Sequence, residues 1–427
     1  MQLYERPVWS EGVAFPTPDP ARPLPERADV AVVGGGITGL AAALALARRG
    51  ASVAVLEARA FGWGAGARNG GMVLTGLKLG VAALVARYGR EAARRMFAAS
   101  LAAVDAVEQL VAEERIECHF ARCGHLVVAS KPSHAQALAR EAEALAREFG
   151  HPTRFVPRAE LRAEIGSDAY YGGLVDEASA GLHPARYLAG LAHAAARTGA
   201  HLAAETPVQR IERDGTAFCV HTARGALRAS AVLVATAGYT GPATPALRRH
   251  VVPVGSYIIA TEPLPEALAG ELIPRGRMIY DTKHFLHYFR LTPDGRMLFG
   301  GRAGFVPETP ASVRESAEIL RRDMARVFPQ LREARVAYAW GGTLDFTFDL
   351  LPHTGQVDGI HVALGYAGHG VALATYLGTR AGAQLAGEPV GHPFERPLPG
   401  APLGLYRGDP WFLPLAGAWY RLLDWVS

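Results

Sequence analysis

Residues 28–58 read ADVAVVGGGITGLAAALALARRGASVAVLEA. The opening run, Ala28 to Val33, is short, apolar and rich in valine, as suits a strand buried on both faces of a parallel sheet. Glycines follow at once, and Ile37 to Arg49 is then rich in Ala and Leu, predicting a helix that Gly50 ends. Ser52 to Leu56 is a second buried strand, closed by Glu57. Strand, helix and strand in about 30 residues form one βαβ unit. Its turn, Gly34-Gly-Gly36-Ile-Thr-Gly39, matches G-x-G-x-x-G, with Glu57 at the end of the next strand. In that context the pattern marks a dinucleotide site. Gly34 permits the tight turn, Gly36 lets the backbone approach a pyrophosphate, and Gly39 lets the helix pack close to the sheet. The amides of Ile37 and Thr38 lie at the positive end of the helix, where an anion is favoured. Glu57, with Ala58 and Arg59 beside it, is placed to accept ribose hydroxyls.

Working outward, the chain of 427 residues has room for two or three domains. Residues 1–27 are Pro-rich and read as an N-terminal arm. Residues 60–76, AFGWGAGARNGGMVLTG, are too glycine-rich for a regular helix or strand. Helical periodicity runs with breaks from Val81 to about Glu114, and again over Ser133–Phe149, Ser312–Val327 and Val371–Leu385. Strand-like runs occur at Leu126–Ala129, Val208–Glu212, Phe218–Thr222 and Ala231–Ala235. From Val251 to Gly301 the alternation has period two, with a turn at Pro293-Asp294-Gly295, which predicts an antiparallel sheet. The expected fold class is mixed α/β: a Rossmann-like unit interleaved with an antiparallel-sheet substrate domain. The boundaries expected are 28–85, 151–245 and 335–385 for the cofactor unit, 86–150 and 246–334 for the substrate unit, and 386–427 for a C-terminal extension.

Composition excludes several classes. Hydrophobic residues make up 49% and charged residues 20%, which rules out a disordered chain. The net charge of +4 rests on 44 basic residues, of which only Lys78, Lys131 and Lys283 are lysines. The arginines are scattered among acids, not clustered as a nucleic-acid footprint requires. No apolar run is long enough to span a membrane, and the first 30 residues lack a secretory pattern. Three cysteines, Cys118, Cys123 and Cys219, form no disulfide framework, so the expected compartment is the cytoplasm. The C-x4-C spacing of Cys118 and Cys123 lies too far past Glu57 for a flavin-linked redox pair. The histidines show no zinc spacing, so no metal is expected. The aromatic segment 410–425 is amphipathic, and packing on the protein is favoured over a membrane surface.

The βαβ motif alone does not separate NAD from FAD. Further segments do so by resemblance. GAGARNGGMV at 64–73, VLVATAG at 232–238, WGGTLDFTFDLLPHTG at 340–355 and GYAGHGVALATYLG at 365–378, together with the N-terminal motif, resemble D-amino acid oxidase/glycine oxidase-like FAD-dependent oxidoreductases. Within that family the chain is most similar to the gamma-glutamylputrescine oxidoreductase-like branch, over about residues 28–380. The resemblance implies FAD contacts from Arg68, Asn69, Gly70, Gly71 and Met72, from Ala237, Gly238 and Gly342, and from Gly368, His369, Gly370 and Val371. Val208 is implied to meet the adenine through its backbone. Amides before the last helix would stabilise negative charge on a reduced flavin. Relatives that bind flavin covalently use a cysteine or a loop histidine. This chain has Trp63-Gly64 in that loop and no cysteine in the flavin segments, so noncovalent FAD is expected.

The resemblance further implies oxidation of a C–N bond in an amine or amino acid, by hydride transfer to flavin N5. The amine must be neutral, the imine hydrolyses, and oxygen reoxidises the flavin to give hydrogen peroxide. A dehydrogenase passing electrons to a quinone or protein acceptor, and a flavin-binding subunit without turnover, remain as alternatives. No side-chain base is assigned. Arg290 resembles a carboxylate-binding arginine of amino-acid-oxidising relatives, and a structural strand arginine is the competing reading. Tyr288 and His369 complete the expected substrate contacts. His287 stands where the branch carries an acid, which leaves the substrate open.

Overall fold

In the computed structural model, residues 3–16, 23–304, 308–401 and 404–426 are described, with side chains at 302–304 and 420–426 outside the description. The N-terminal arm and the C-terminal extension are therefore described in part. Arg27–Val33 forms the first strand, and Ala31 and Val32 are fully shielded from water. Helix Ile37–Ala47 follows and buries Leu40, Leu44 and Leu46, each worth roughly 1.5–3 kcal/mol. Strand Val53–Leu56 then pairs in parallel with the first, Val30 opposite Val53 and Val33 opposite Leu56.

This unit is the centre of a sheet ordered 353–357, 360–364, 225–234, 27–33, 53–56, 201–203. Its middle strands are parallel, and the antiparallel strands Val208–Asp214 and Ala217–Thr222 extend from Gly225–Val234. A second sheet of eight strands runs 336–346, 252–261, 297–304, 288–291, 278–281, 125–128, 172–176, 154–157. All its pairings are antiparallel except 125–128 with 278–281. The expected turn at Pro293-Asp294-Gly295 closes a hairpin, with Gly295 at φ +79° and its amide donating to Thr292. The chain crosses repeatedly between the two sheets, as the interleaved motifs predict.

The expected boundaries shift. Strands Arg154–Pro157, Gly172–Asp176 and Val336–Phe346, expected in the cofactor unit, hydrogen-bond into the second sheet. Helix Arg90–Glu113, expected in the substrate unit, instead packs on Gly370–Leu385 and shares the core of the first helix. The pattern of a short strand reports its burial, not which sheet edge receives it, and an apolar helical stripe does not name its partner.

Local departures are small. The helical stretch from Val81 breaks at Gly89 into Val81–Tyr88 and Arg90–Glu113. The 133–149 stretch is helix Pro132–Ala144 closed by a π turn, Leu145–Phe149. The glycine-rich 60–76 segment does hold regular structure: one helical turn, Ala65–Arg68, and a two-residue strand, Met72–Val73, paired with Ala180–Gly181. The turn forms because the Asn69 side chain donates to the carbonyls of Ala65 and Gly66 and accepts from the Gly71 amide.

The described part of the arm is anchored at Trp9. Trp9 is 2% exposed, and its indole donates to the Asn69 carbonyl at 2.8 Å. At the other end, Leu413–Val426 is helical, and Leu413 packs with Tyr406 and Val252. Trp411, Leu415 and Trp419 stay exposed, against the expectation that the 410–425 segment packs down. Among the described residues no helix is long and apolar enough to cross a membrane, and no cluster of side chains is set to hold a metal.

Candidate active site

One cavity of about 720 Å³ runs from the carboxyl end of the first strand to the face of the second sheet. That is the size of a small-molecule site, at the place where open α/β sheets bind ligands. At its inner end lie Gly34, Gly36, Ile37 and Thr38. A Cβ on Gly36 would meet nothing within 4 Å, so the space over this residue is open to a ligand. A Cβ on Gly39 would fall 1.9 Å from the Gly34 carbonyl oxygen. Gly39 therefore serves the packing and does not line the cavity, as its place in the motif predicts.

Glu57, Ala58, Arg59 and Val208 form the next part of the wall. The Glu57 carboxylate accepts from the amides of Gly35 at 2.8 Å and Arg59 at 2.9 Å. Burial raises its pKa and those amides oppose the rise. Each oxygen keeps acceptor capacity for a hydroxyl.

The RNGG loop splits in role. Arg68, Asn69, Gly70 and Met72 line the cavity, but Gly71 does not. Gly71 has φ +69°, and a Cβ there would lie 2.2 Å from the Leu182 carbonyl. The Asn69 amide is consumed within the loop, so its side chain is a brace and not a free ligand contact. Arg68 Nη1 donates to Glu308 and to the Gly341 carbonyl, both at 2.9 Å. Ala237 and Gly342 line the cavity, whereas Gly238 packs against Leu344.

The 365–371 loop closes another side, with Gly368, His369, Gly370 and Val371 on the wall. Asp345 holds the loop by accepting from the Gly365 amide, and Tyr366 bonds Thr38 at 2.7 Å across to the first helix. His369 precedes helix Gly370–Leu385, and its Nδ1 is shielded from water with no hydrogen-bond partner among the described residues. Burial, aided by the charge of Lys78, brings this imidazole down to about 4, so it is neutral at physiological pH.

The outer chamber is formed by Tyr288, Ser256, Tyr280 and the 284–286 loop. The Tyr288 hydroxyl lies 3.2 Å from Ser256 Oγ, and burial pushes it up to about 12. His287 anchors the loop, with Nδ1 3.2 Å from Asp281 and Nε2 3.4 Å from Asp323. Behind Tyr280, His125 stacks at 5.6 Å and bonds Ser179 at 2.7 Å. Nearby, Asp176 accepts from Thr75 and His151.

Arg290 does not reach the cavity. It is buried, and its Nη1 donates to the carbonyls of Leu182 at 2.9 Å and Gly71 at 3.0 Å, its Nε to Leu291 at 3.1 Å. Its guanidinium also sits 5.8 Å from the Trp9 ring centre. The competing structural reading is the one its surroundings support, and the carboxylate-anchor expectation is corrected. Cys118 and Cys123 are free thiols off the cavity wall, and burial raises both, Cys118 to about 11. The sequence reading missed Lys78, Tyr280 and Ser256 on the wall. Only Lys78 carried a signal: it is one of three lysines in an arginine-rich chain.

A dinucleotide cradle opening into a buried chamber is matched by sequence likeness across most of the chain. The sequence model of the DAO family, FAD dependent oxidoreductase, matches residues 29–383. The chain belongs to the FAD-dependent oxidoreductase (DAO) family. It is 35% identical to the probable oxidoreductase OrdL of Rhizobium meliloti, covering 88% of this chain and 84% of that protein. It is 33% identical to the gamma-glutamylputrescine oxidoreductase of Escherichia coli, covering 84% of this chain and 83% of that one. In fold it is similar to the crystal structure of glycine oxidase from Geobacillus kaustophilus. The TM-score is 0.74 at 23% identity, over 87% of this chain and 98% of that one. The open space over Gly36, the helix N-terminus beside it and the unpartnered Nδ1 of His369 fit the FAD this family uses.

Proposed function

We propose that this oxidoreductase removes two electrons from the C–N bond of an amine or amino acid, with FAD held noncovalently and oxygen as the final acceptor. One observation carries the reading: a single cavity joins the dinucleotide cradle to a chamber walled by Leu74, Leu77, Phe285 and Tyr288. The names of the E. coli and Geobacillus proteins support the substrate class.

Gly36, Ile37 and Thr38 would take the pyrophosphate, Glu57 the ribose, and the Val208 backbone the adenine. Arg68, Gly342 and the 368–371 loop would surround the isoalloxazine. Bound FAD supplies a two-electron acceptor for hydride from the carbon beside nitrogen. The protein's own part is to present the amine in its neutral form. A free alkylammonium has a pKa of about 10, and an apolar wall lowers it by desolvation. Neutral His369 brings no negative charge that would hold the nitrogen as ammonium. The N-terminus of helix Gly370–Leu385 faces the cavity through Gly370 and Val371 and favours negative charge beside it.

The test is a panel of amines and amino acids on FAD-loaded protein. Anaerobic bleaching of the flavin and aerobic release of peroxide are the expected results. Bleaching without peroxide would replace oxygen by another acceptor. No bleaching by any member would overturn the reading.

A further inference from the structure

The cavity wall carries three long cations, Arg59, Arg68 and Lys78, and two carboxylates, Glu57 and Asp345. Four of the five have work already. Arg59 lies over the Trp63 ring at 5.3 Å, and Arg68 is paired with Glu308. Glu57 is engaged by the Gly35 and Arg59 amides, and Asp345 by the Gly365 amide. Lys78 is the exception. It follows strand Met72–Val73 and shares the wall with Leu74 and Leu77, and among the described residues no carboxylate or hydrogen-bond acceptor pairs with it.

We infer that Lys78 is the anion anchor of the substrate chamber, the residue that positions an amine by meeting its carboxylate. This inference rests on the amine-oxidising reading and adds a positioning residue to it. Lys78 is exposed while lining the cavity beside Leu74 and Leu77; the protein around it lowers its pKa, and an anion that meets the ammonium would hold it charged. Its side chain remains accessible from the cavity, so a ligand can approach it. A carboxylate entering the chamber gains a charge-assisted hydrogen bond and relieves the unpaired cation. A second free ammonium, as in a simple diamine, would meet like charge there, with neither wall carboxylate free to receive it. The Nε and Nη1 of Arg290, which the sequence suggested for this task, are taken by backbone carbonyls.

The experiment uses FAD-loaded protein and two probes that cannot be oxidised at a C–N bond beside a carboxylate: propanoate and propanamide. Binding is read as perturbation of the flavin absorption spectrum. The expected result is that propanoate binds the native protein and that Lys78→Met weakens it by about tenfold or more. Lys78→Arg should retain most of the affinity, and propanamide should bind native protein and Lys78→Met alike. An unchanged propanoate affinity in Lys78→Met, or no propanoate binding by native protein, overturns the inference whatever the amines do. The two readings fail separately: loss of amine bleaching sinks the oxidation reading, while the propanoate result decides Lys78. A matching thermal midpoint for Lys78→Met and native protein keeps a folding defect from imitating the effect.

Discussion

Arg290 and Lys78 show how surroundings set the use of a positive charge. Arg290 is enclosed by the carbonyls of Gly71, Leu182 and Leu291, and burial brings it down to about 10. It clamps the RNGG loop to residue 182. Replacing it with Ala removes those bonds and opens a cavity, with an expected loss of about 2–4 kcal/mol in urea unfolding. The KM for an amine substrate should stay within about twofold in the protein that folds, because the guanidinium does not reach the cavity. A large rise in KM at unchanged stability would restore the anchor role. The charge and strand position of Arg290 were legible in the sequence. The direction of its side chain was not, because that depends on a loop more than two hundred residues earlier in the chain. Asn69 misled in the same way: its residue type suits a ligand, but local carbonyls and an amide claim it first.

At the scale of elements, the fingerprint turn divides its glycines by task. Gly36 faces open space and Gly39 faces the Gly34 carbonyl. Gly36→Ala adds a methyl group to the ligand side only. Apo-protein stability should change by less than about 1 kcal/mol, while the FAD dissociation constant rises by about tenfold or more. Gly39→Ala should instead cost about 3 kcal/mol of stability, since the backbone must move apart. Isothermal titration with FAD and urea unfolding of both variants separate the two effects. Equal loss of stability in both would refute the division. This element was readable from sequence because its constraints are local: strand period, helix composition and glycine spacing lie within about 30 residues. The second sheet was only partly readable. The alternation after Val251 announced antiparallel strands, but nothing local recruits Arg154–Pro157, Gly172–Asp176 and Val336–Phe346 to that sheet.

Across the whole molecule, a buried polar cluster ties the loop after the first βαβ unit to the second sheet. Thr75 Oγ1 donates to Asp176 at 2.7 Å, and His151 Nε2 lies 2.8 Å from the same carboxylate. Burial alone would raise Asp176, but His151, His125 and Thr75 together outweigh it and hold the carboxyl at about 2. An unfolded Asp titrates near 3.9. The folded value is depressed, so the stabilisation is complete above about pH 4 and is lost as pH falls toward 2. Linkage makes it worth about 2–3 kcal/mol. Urea unfolding at pH 6 and pH 3 should show a smaller difference for Asp176→Asn than for the native protein. An identical difference would show that Asp176 is not a source of the acid sensitivity.

The position of Trp9 has a consequence for the order in which the protein can mature. The polar and ring contacts of Trp9 lie later in the chain: the Asn69 carbonyl, the His183 ring at 4.8 Å and the Arg290 guanidinium. The last of these is synthesised some 280 residues later. Trp9 therefore cannot complete these contacts until Arg290 has been translated, and it then closes beneath the loop that borders the cavity. Its docking is a late step, and in a variant with the other five tryptophans replaced by phenylalanine its indole emission would follow that step in refolding.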